Sequence, residues 1–216
     1  MSAVDRLAIL VPDGAYPLVL KVLLSDRRDS LRLRKVDFEI IKDAFHDSSQ
    51  EVVALLRPYR RSCSHVLLVR DLHGSGWEDR GAKALEDHLL AQLHANGWPE
   101  GRACVLVVEP EIEAWLRFDS VHLQKLVRER ARRRQAEAEL LFSIETAKAI
   151  AALGGANELG KPRQPKEVLA RVLEVFGVQR SNSLYQKLAA DEGLKHCKVE
   201  SFQRLVRVLR GWFPAS

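Results

Sequence analysis

The stretch Val66-Leu67-Leu68-Val69-Arg70-Asp71-Leu72-His73-Gly74-Ser75-Gly76 decides how the rest of the chain is read. Four apolar residues run into an acid and then a glycine-punctuated turn, the pattern of a buried strand that ends at a polar rim. Two other runs end alike: Leu7 to Val11 stops at Pro12-Asp13-Gly14, and Cys104 to Val108 stops at Glu109-Pro110-Glu111-Ile112-Glu113. If the three strands are parallel in one open sheet, their carboxylates converge on the edge where such sheets bind ligands.

The segments between these runs support that arrangement. Ala15 to Leu24 carries Leu18, Val19, Val22 and Leu23 at helical spacing, with Pro17 at an early helical position. Leu31 to Ile41 alternates apolar and polar residues and predicts a half-exposed second strand. His46-Asp47-Ser48-Ser49 reads as a loop ending in a cap, followed by a helix from Gln50 to Leu56 that stops at Pro58. Trp77 to Asn96 predicts a helix with Leu85, Leu89 and Leu93 on one stripe, closed by Asn96-Gly97. Strands alternating with helices call for an α/β fold: a parallel, Rossmann-like sheet flanked by helices.

Past Glu113 the pattern turns helical. Ala114 to Phe118 and a charged stretch from Leu123 to Leu141 come first, then a glycine- and proline-containing loop from Leu153 to Pro165. Helices are expected at Lys166 to Phe176, at Ser183 to Ala190 and from Ser201 to the Gly211-Trp212-Phe213-Pro214 end. The predicted organisation is an α/β core over 1–120 and a helical C-terminal extension over 121–216.

Composition narrows the class. The 216 residues are 46% hydrophobic and 29% charged, which suits a folded globular chain rather than a disordered one. The formal charge of +5 has two readings, an acidic partner such as nucleic acid or plain solubility. Cys63, Cys104 and Cys197 are odd in number and widely spaced, which suggests neither a disulfide framework nor a Cys-x-x-Cys metal site and fits a reducing cytoplasm. The first apolar run is too short for a signal peptide, and no run reaches the roughly 18 apolar residues of a membrane helix, so no membrane partner is expected.

Asp13, Asp71, Glu111 and Glu113 are the candidate ligands for a hard cation such as Mg²⁺ or Mn²⁺, which takes carboxylate oxygens while contacting a phosphate. The competing reading is that strand-end acids are simply solvated or cap the following helix. His73 is read as a ligand to a softer metal, a general base or a loop residue with a local hydrogen bond. Trp77, Trp98 and Trp115 read as core anchors unless exposed. Arg132, Arg133 and Arg134 form the densest basic group and are the candidate nucleic-acid contacts; Glu129, Glu137 and Glu139 interleave with the basic residues of that segment, as on a solvated helix. There is no Walker-type phosphate loop, no dinucleotide fingerprint and no nucleophile elbow.

Taken together, the strand ends resemble a TOPRIM domain, the magnesium-binding α/β module of topoisomerases, primases and OLD-type nucleases. Asp13-Gly14 stands where that family has a Glu-Gly turn, and Asp71-Leu72-His73-Gly74 where it has Asp-x-Asp. Glu111-Ile112-Glu113-Ala114-Trp115-Leu116 resembles the Glu-x-Trp-Leu signature of small RloB-type proteins, many of them encoded among bacterial anti-phage defence genes. Pro165-Lys166-Glu167 and Ser201-Phe202 resemble helix starts in the C-terminal part of the same proteins. The resemblance implies a divalent-metal-dependent nuclease in which Asp71 and Glu113 bind the ion and Asp13 positions or deprotonates water. Two departures, aspartate for the first glutamate and His73 for the second aspartate, imply the alternative: a catalytically degenerate TOPRIM-like subunit that binds a partner protein or nucleic acid. Loss of one anionic ligand weakens Mg²⁺ binding, while a histidine favours Mn²⁺ or a similar metal.

Overall fold

The computed structural model describes residues 5–12, 14–43, 49–116, 118, 120–130, 138–190, 194 and 197–215. Contacts divide the chain into two compact units, Met1–Glu109 with Glu200–Ser216, and Pro110–Val199. The final helix is grouped with the first unit.

The first unit is α/β, as expected. Strands β1 (Arg6–Pro12), β2 (Asp37–Asp43), β3 (His65–Asp71) and β4 (Ala103–Val108) form one all-parallel sheet in the order β2-β1-β3-β4. Leu10 is level with Ile41 on one side and Leu68 on the other, and Leu68 is level with Val105. Because side chains alternate across a strand, one face carries Ala8, Leu10, Val66, Leu68, Val105 and Val107. They form a buried cluster with Val52, Val53 and Leu56 and with Leu85, Leu89 and Leu93. These last come from in and beside α2 (Ser49–Ala54) and from α3 (Gly81–Ala95). Leu7, Ile9, Leu67, Val69, Leu106 and Val108 have the opposite parity and are buried too. Helices α1 (Tyr16–Ser25) and α8 (Glu200–Trp212) pack against β1 and β4. Burial on both faces explains why the runs of β1, β3 and β4 are continuously apolar rather than alternating.

Three boundaries differ from the sequence reading. The second strand begins at Asp37, because Leu31 and Arg32 lie in a turn, where Arg32 has φ of +56°, and Leu33 makes an isolated antiparallel bridge to Pro214. α3 begins only at Gly81, after a loop that starts past Asp71. Its end is as expected: Gly97, at φ +85°, lets its N–H reach the His94 carbonyl and the Trp98 N–H reach Leu93. The third difference is that Ile112–Trp115 forms a single 3₁₀ turn.

The second unit is helical among its described residues. It comprises α4 (Val121–Arg130), α5 (Ala138–Ala152), α6 (Pro165–Val175) and α7 (Asn182–Ala190). The charged stretch expected as one helix from Leu123 to Leu141 is thus α4 and the start of α5, with 131–137 outside the described residues. Lys125 pairs with Glu129 one turn on, as interleaved charges suggest. Among the described residues no helix is long and apolar enough to cross a membrane. Cys63, Cys104 and Cys197 are buried. Burial pushes the Cys104 thiol up to about 11.

Candidate functional site

The strand order places a topological switch point between β1 and β3, whose connections leave toward opposite sides of the sheet. β3 ends there at Asp71. Asp71 accepts a hydrogen bond from the Tyr16 hydroxyl, and Tyr16 is a first-turn residue of α1 that is only 1% exposed. Arg70, pointing to the other face, reaches over the end of β1 to Asp43 of β2, with Nη1 2.5 Å from Oδ2. Asp43 is 1% exposed, so its charge is matched within the protein.

Just beyond Asp71 the chain turns on Gly74 and Gly76, at φ +79° and +73°, a conformation that favours glycine. The turn directs the Gly74 and Ser75 N–H groups onto one oxygen of Glu78, at 2.6 and 3.1 Å. Backbone donors, first that of Glu78 itself and then those of Gly74, Gly76 and Ser75, hold the Glu78 carboxyl below the usual range against the opposing effect of desolvation. Successive N–H groups converging on one oxygen make a cradle for an anion. His73 is exposed in this turn. Trp77 is half-buried, with the His88 ring 4.8 Å and the Arg80 guanidinium 4.9 Å away, whereas Trp98 and Trp115 are core anchors.

Glu111 and Glu113 belong to the second unit, where they are 5% and 4% exposed. Glu111 precedes the 3₁₀ turn and Glu113 lies inside it. Lys166, in the first turn of α6, brings Nζ to 3.2 Å from Glu111. Tyr185 of α7 donates its hydroxyl to Glu113, and Arg180 lies 3.8 Å from the same oxygen. Burial, and then the charge of Glu113, raise the Glu111 carboxyl above its usual range despite Lys166. Burial alone would lower the Lys166 ammonium, but Glu111 and Glu113 more than reverse it. The two shifts differ because the lysine side chain is 42% exposed and the glutamate's 6%, so most of the desolvation falls on the carboxylate. Burial and Glu113 raise the Tyr185 phenol too, which keeps it a proton donor.

A carboxyl with a raised folded-state pKa favours folding while protonated and opposes it once ionised. Its contribution is present below the ordinary glutamate range and is lost as pH rises through the raised value. From about pH 4 to about pH 7 the unfolding free energy of the native chain is therefore expected to fall relative to that of Glu111→Gln. Parallel stability-versus-pH curves for the two proteins would refute this.

Of the predicted site residues, Asp71 and His73 belong to the first unit and Glu111 and Glu113 to the second, while Asp13, Arg132, Arg133 and Arg134 lie outside the described residues. Among the described residues no group of three or more His, Cys, Asp or Glu side chains is placed to hold one metal ion. Tyr16, Glu78, Arg180 and Tyr185 were not singled out by sequence reasoning. Lys166 stood in a noted motif but had no assigned role.

Fold and rim define the class: an all-parallel α/β protein with helices on both sheet faces and an aspartate at the switch-point edge. Compared with protein-family models, curated proteins and solved structures, the chain matches none.

Proposed function

We propose that this chain is a TOPRIM-like component of bacterial anti-phage defence that cleaves phosphodiester bonds of nucleic acid with Mg²⁺ or Mn²⁺, with Asp71 as its principal acid. The observation that carries the reading is the end of β3, where a tyrosine-held aspartate adjoins a turn whose N–H groups already hold an anionic oxygen. Metal-assisted phosphodiester cleavage needs both parts, a carboxylate for a hard cation and donors for phosphate oxygens. Asp13, His73, Glu111 and Glu113 enter as further ligands on the sequence pattern and the family resemblance.

The test is incubation of the full chain with single-stranded DNA, duplex DNA and RNA in Mg²⁺ or Mn²⁺, with a chelator control. Cleavage is expected to need the ion and to fall roughly a hundredfold or more in Asp71→Ala and in Glu113→Ala, the scale of losing a transition-state charge contact. Undiminished cleavage by both variants would end the proposal.

The degenerate-subunit reading is favoured by a different observation. Asp71, Glu111 and Glu113 each already meet a donor from the protein: Tyr16, Lys166, and Tyr185 with Arg180. On that reading calorimetry with Mn²⁺ detects no binding, and the chain forms a stable complex with a partner protein or nucleic acid. Stoichiometric metal uptake would count against it.

A further inference from the structure

The second unit holds a cavity of about 620 Å³ that none of the chemistry above uses. That volume falls within the range of about 300–1,000 Å³ typical of small-molecule sites. Phe118, Ile150 and Leu159 supply apolar wall, and Leu159 is 55% exposed. Lys161 and Lys198 supply the charge, and among the described residues no aspartate or glutamate lines the cavity.

The wall bearing Lys161 is built rigidly. Asn157 Oδ1 accepts the N–H groups of Leu159 and Lys161 at 3.0 and 2.9 Å, and the Asn157 N–H donates to the Lys161 carbonyl at 2.7 Å. The Lys161 ammonium donates to the Leu116 carbonyl at 2.5 Å, which holds its side chain at the wall. Thr146 adds an independent sign. It lines the cavity, is 7% exposed, and its hydroxyl has no hydrogen-bond partner among the described residues. Buried hydroxyls are nearly always satisfied, so one that is not marks a position for a polar partner.

We propose that this cavity binds a small organic anion: an apolar or aromatic body carrying one phosphate, sulfonate or carboxylate group. The lysines take the anionic group and the apolar wall takes the body. Fixed polar groups on a largely apolar surface are the usual composition of such sites. Pre-positioning of Lys161 lowers the ordering cost of binding.

The test is a fluorescence titration of the full chain with 1-anilinonaphthalene-8-sulfonate, whose aromatic body and single sulfonate match the proposed class. Saturable binding at one site per chain is expected. Lys198→Glu, and Ala147→Trp on the exposed part of the cavity wall, should each weaken it by about tenfold or more. Lys148→Glu, a charge reversal outside the lining, should leave it within about twofold. The uncharged N-phenyl-1-naphthylamine should bind at least about tenfold more weakly. Circular dichroism of each variant reports on folding. Displacement by adenosine monophosphate or by octanoate distinguishes a phosphate from a carboxylate headgroup. No saturable binding, equal affinity for the uncharged dye, unchanged binding in both cavity variants, or displacement by neither competitor would overturn the proposal.

Discussion

Replacing Arg204 with leucine is expected to lower the unfolding free energy by about 3 kcal/mol. The reason lies at the edge of the sheet. β4 is an edge strand, and the outward N–H of Val107 and C=O of Val105 have no neighbouring strand to pair with. Glu86 of α3 accepts the Val107 N–H at 2.9 Å. Arg204 of α8 donates to the Val105 carbonyl at 3.1 Å, and its other terminal nitrogen donates to Glu86. Two side chains thus satisfy the groups that a fifth strand would otherwise pair. Without Arg204 the Glu86 carboxylate, only 6% exposed, loses the cation that pairs with it. Arg204 is itself one-third exposed, which places the effect at the lower end for broken buried pairs. Glu86→Gln retains an acceptor for Val107 and is expected to cost less, about 1–2 kcal/mol. Urea unfolding measures both, and a loss below about 1 kcal/mol in Arg204→Leu would refute the account. An opened edge also templates strand addition, so the variant should self-associate more at high concentration.

Trp115→Ala is the second large effect, an expected loss of about 3–5 kcal/mol from the second unit. Trp115 is 1% exposed and closes the turn that carries Glu113. That turn is held by the Ala114 N–H on the Glu111 carbonyl at 2.9 Å and the Leu116 N–H on the Glu113 carbonyl at 3.0 Å. Removing the indole leaves a void where the turn packs and loosens the backbone that presents the two buried glutamates. Trp115→Phe keeps most of the volume and should cost markedly less. Because the chain has two compact units, one melting midpoint is a poor measure. Amide exchange in α6 and α7 is the readout, and unchanged protection there in Trp115→Ala would contradict the assignment of Trp115 as the anchor.

The parts of this protein legible in the sequence are those where a repeating physical pattern spans several residues. The apolar runs at Leu7–Val11, Val66–Val69 and Cys104–Val108 announced buried strands, because a sheet covered on both faces wants apolar side chains at every position. The Leu85, Leu89 and Leu93 stripe and the Asn96-Gly97 stop announced α3, since helical period and left-handed backbone are local properties. Asp71 was legible at the end of its strand for the same reason.

Partnership was not legible. Tyr16 meets Asp71 across 55 residues, Tyr185 meets Glu113 across 72, and Arg204 meets Glu86 across 118. A hydrogen bond leaves no periodic trace, and a tyrosine or arginine that satisfies a buried acid looks in sequence like one that meets water. The sequence by itself determined that this chain folds around a parallel sheet with an acid at the end of β3, because burial and turn geometry act on neighbouring residues. Only the tertiary structure decided which carboxylates are neutralised and by what, because desolvation makes every buried charge depend on side chains that the chain brings back from far away.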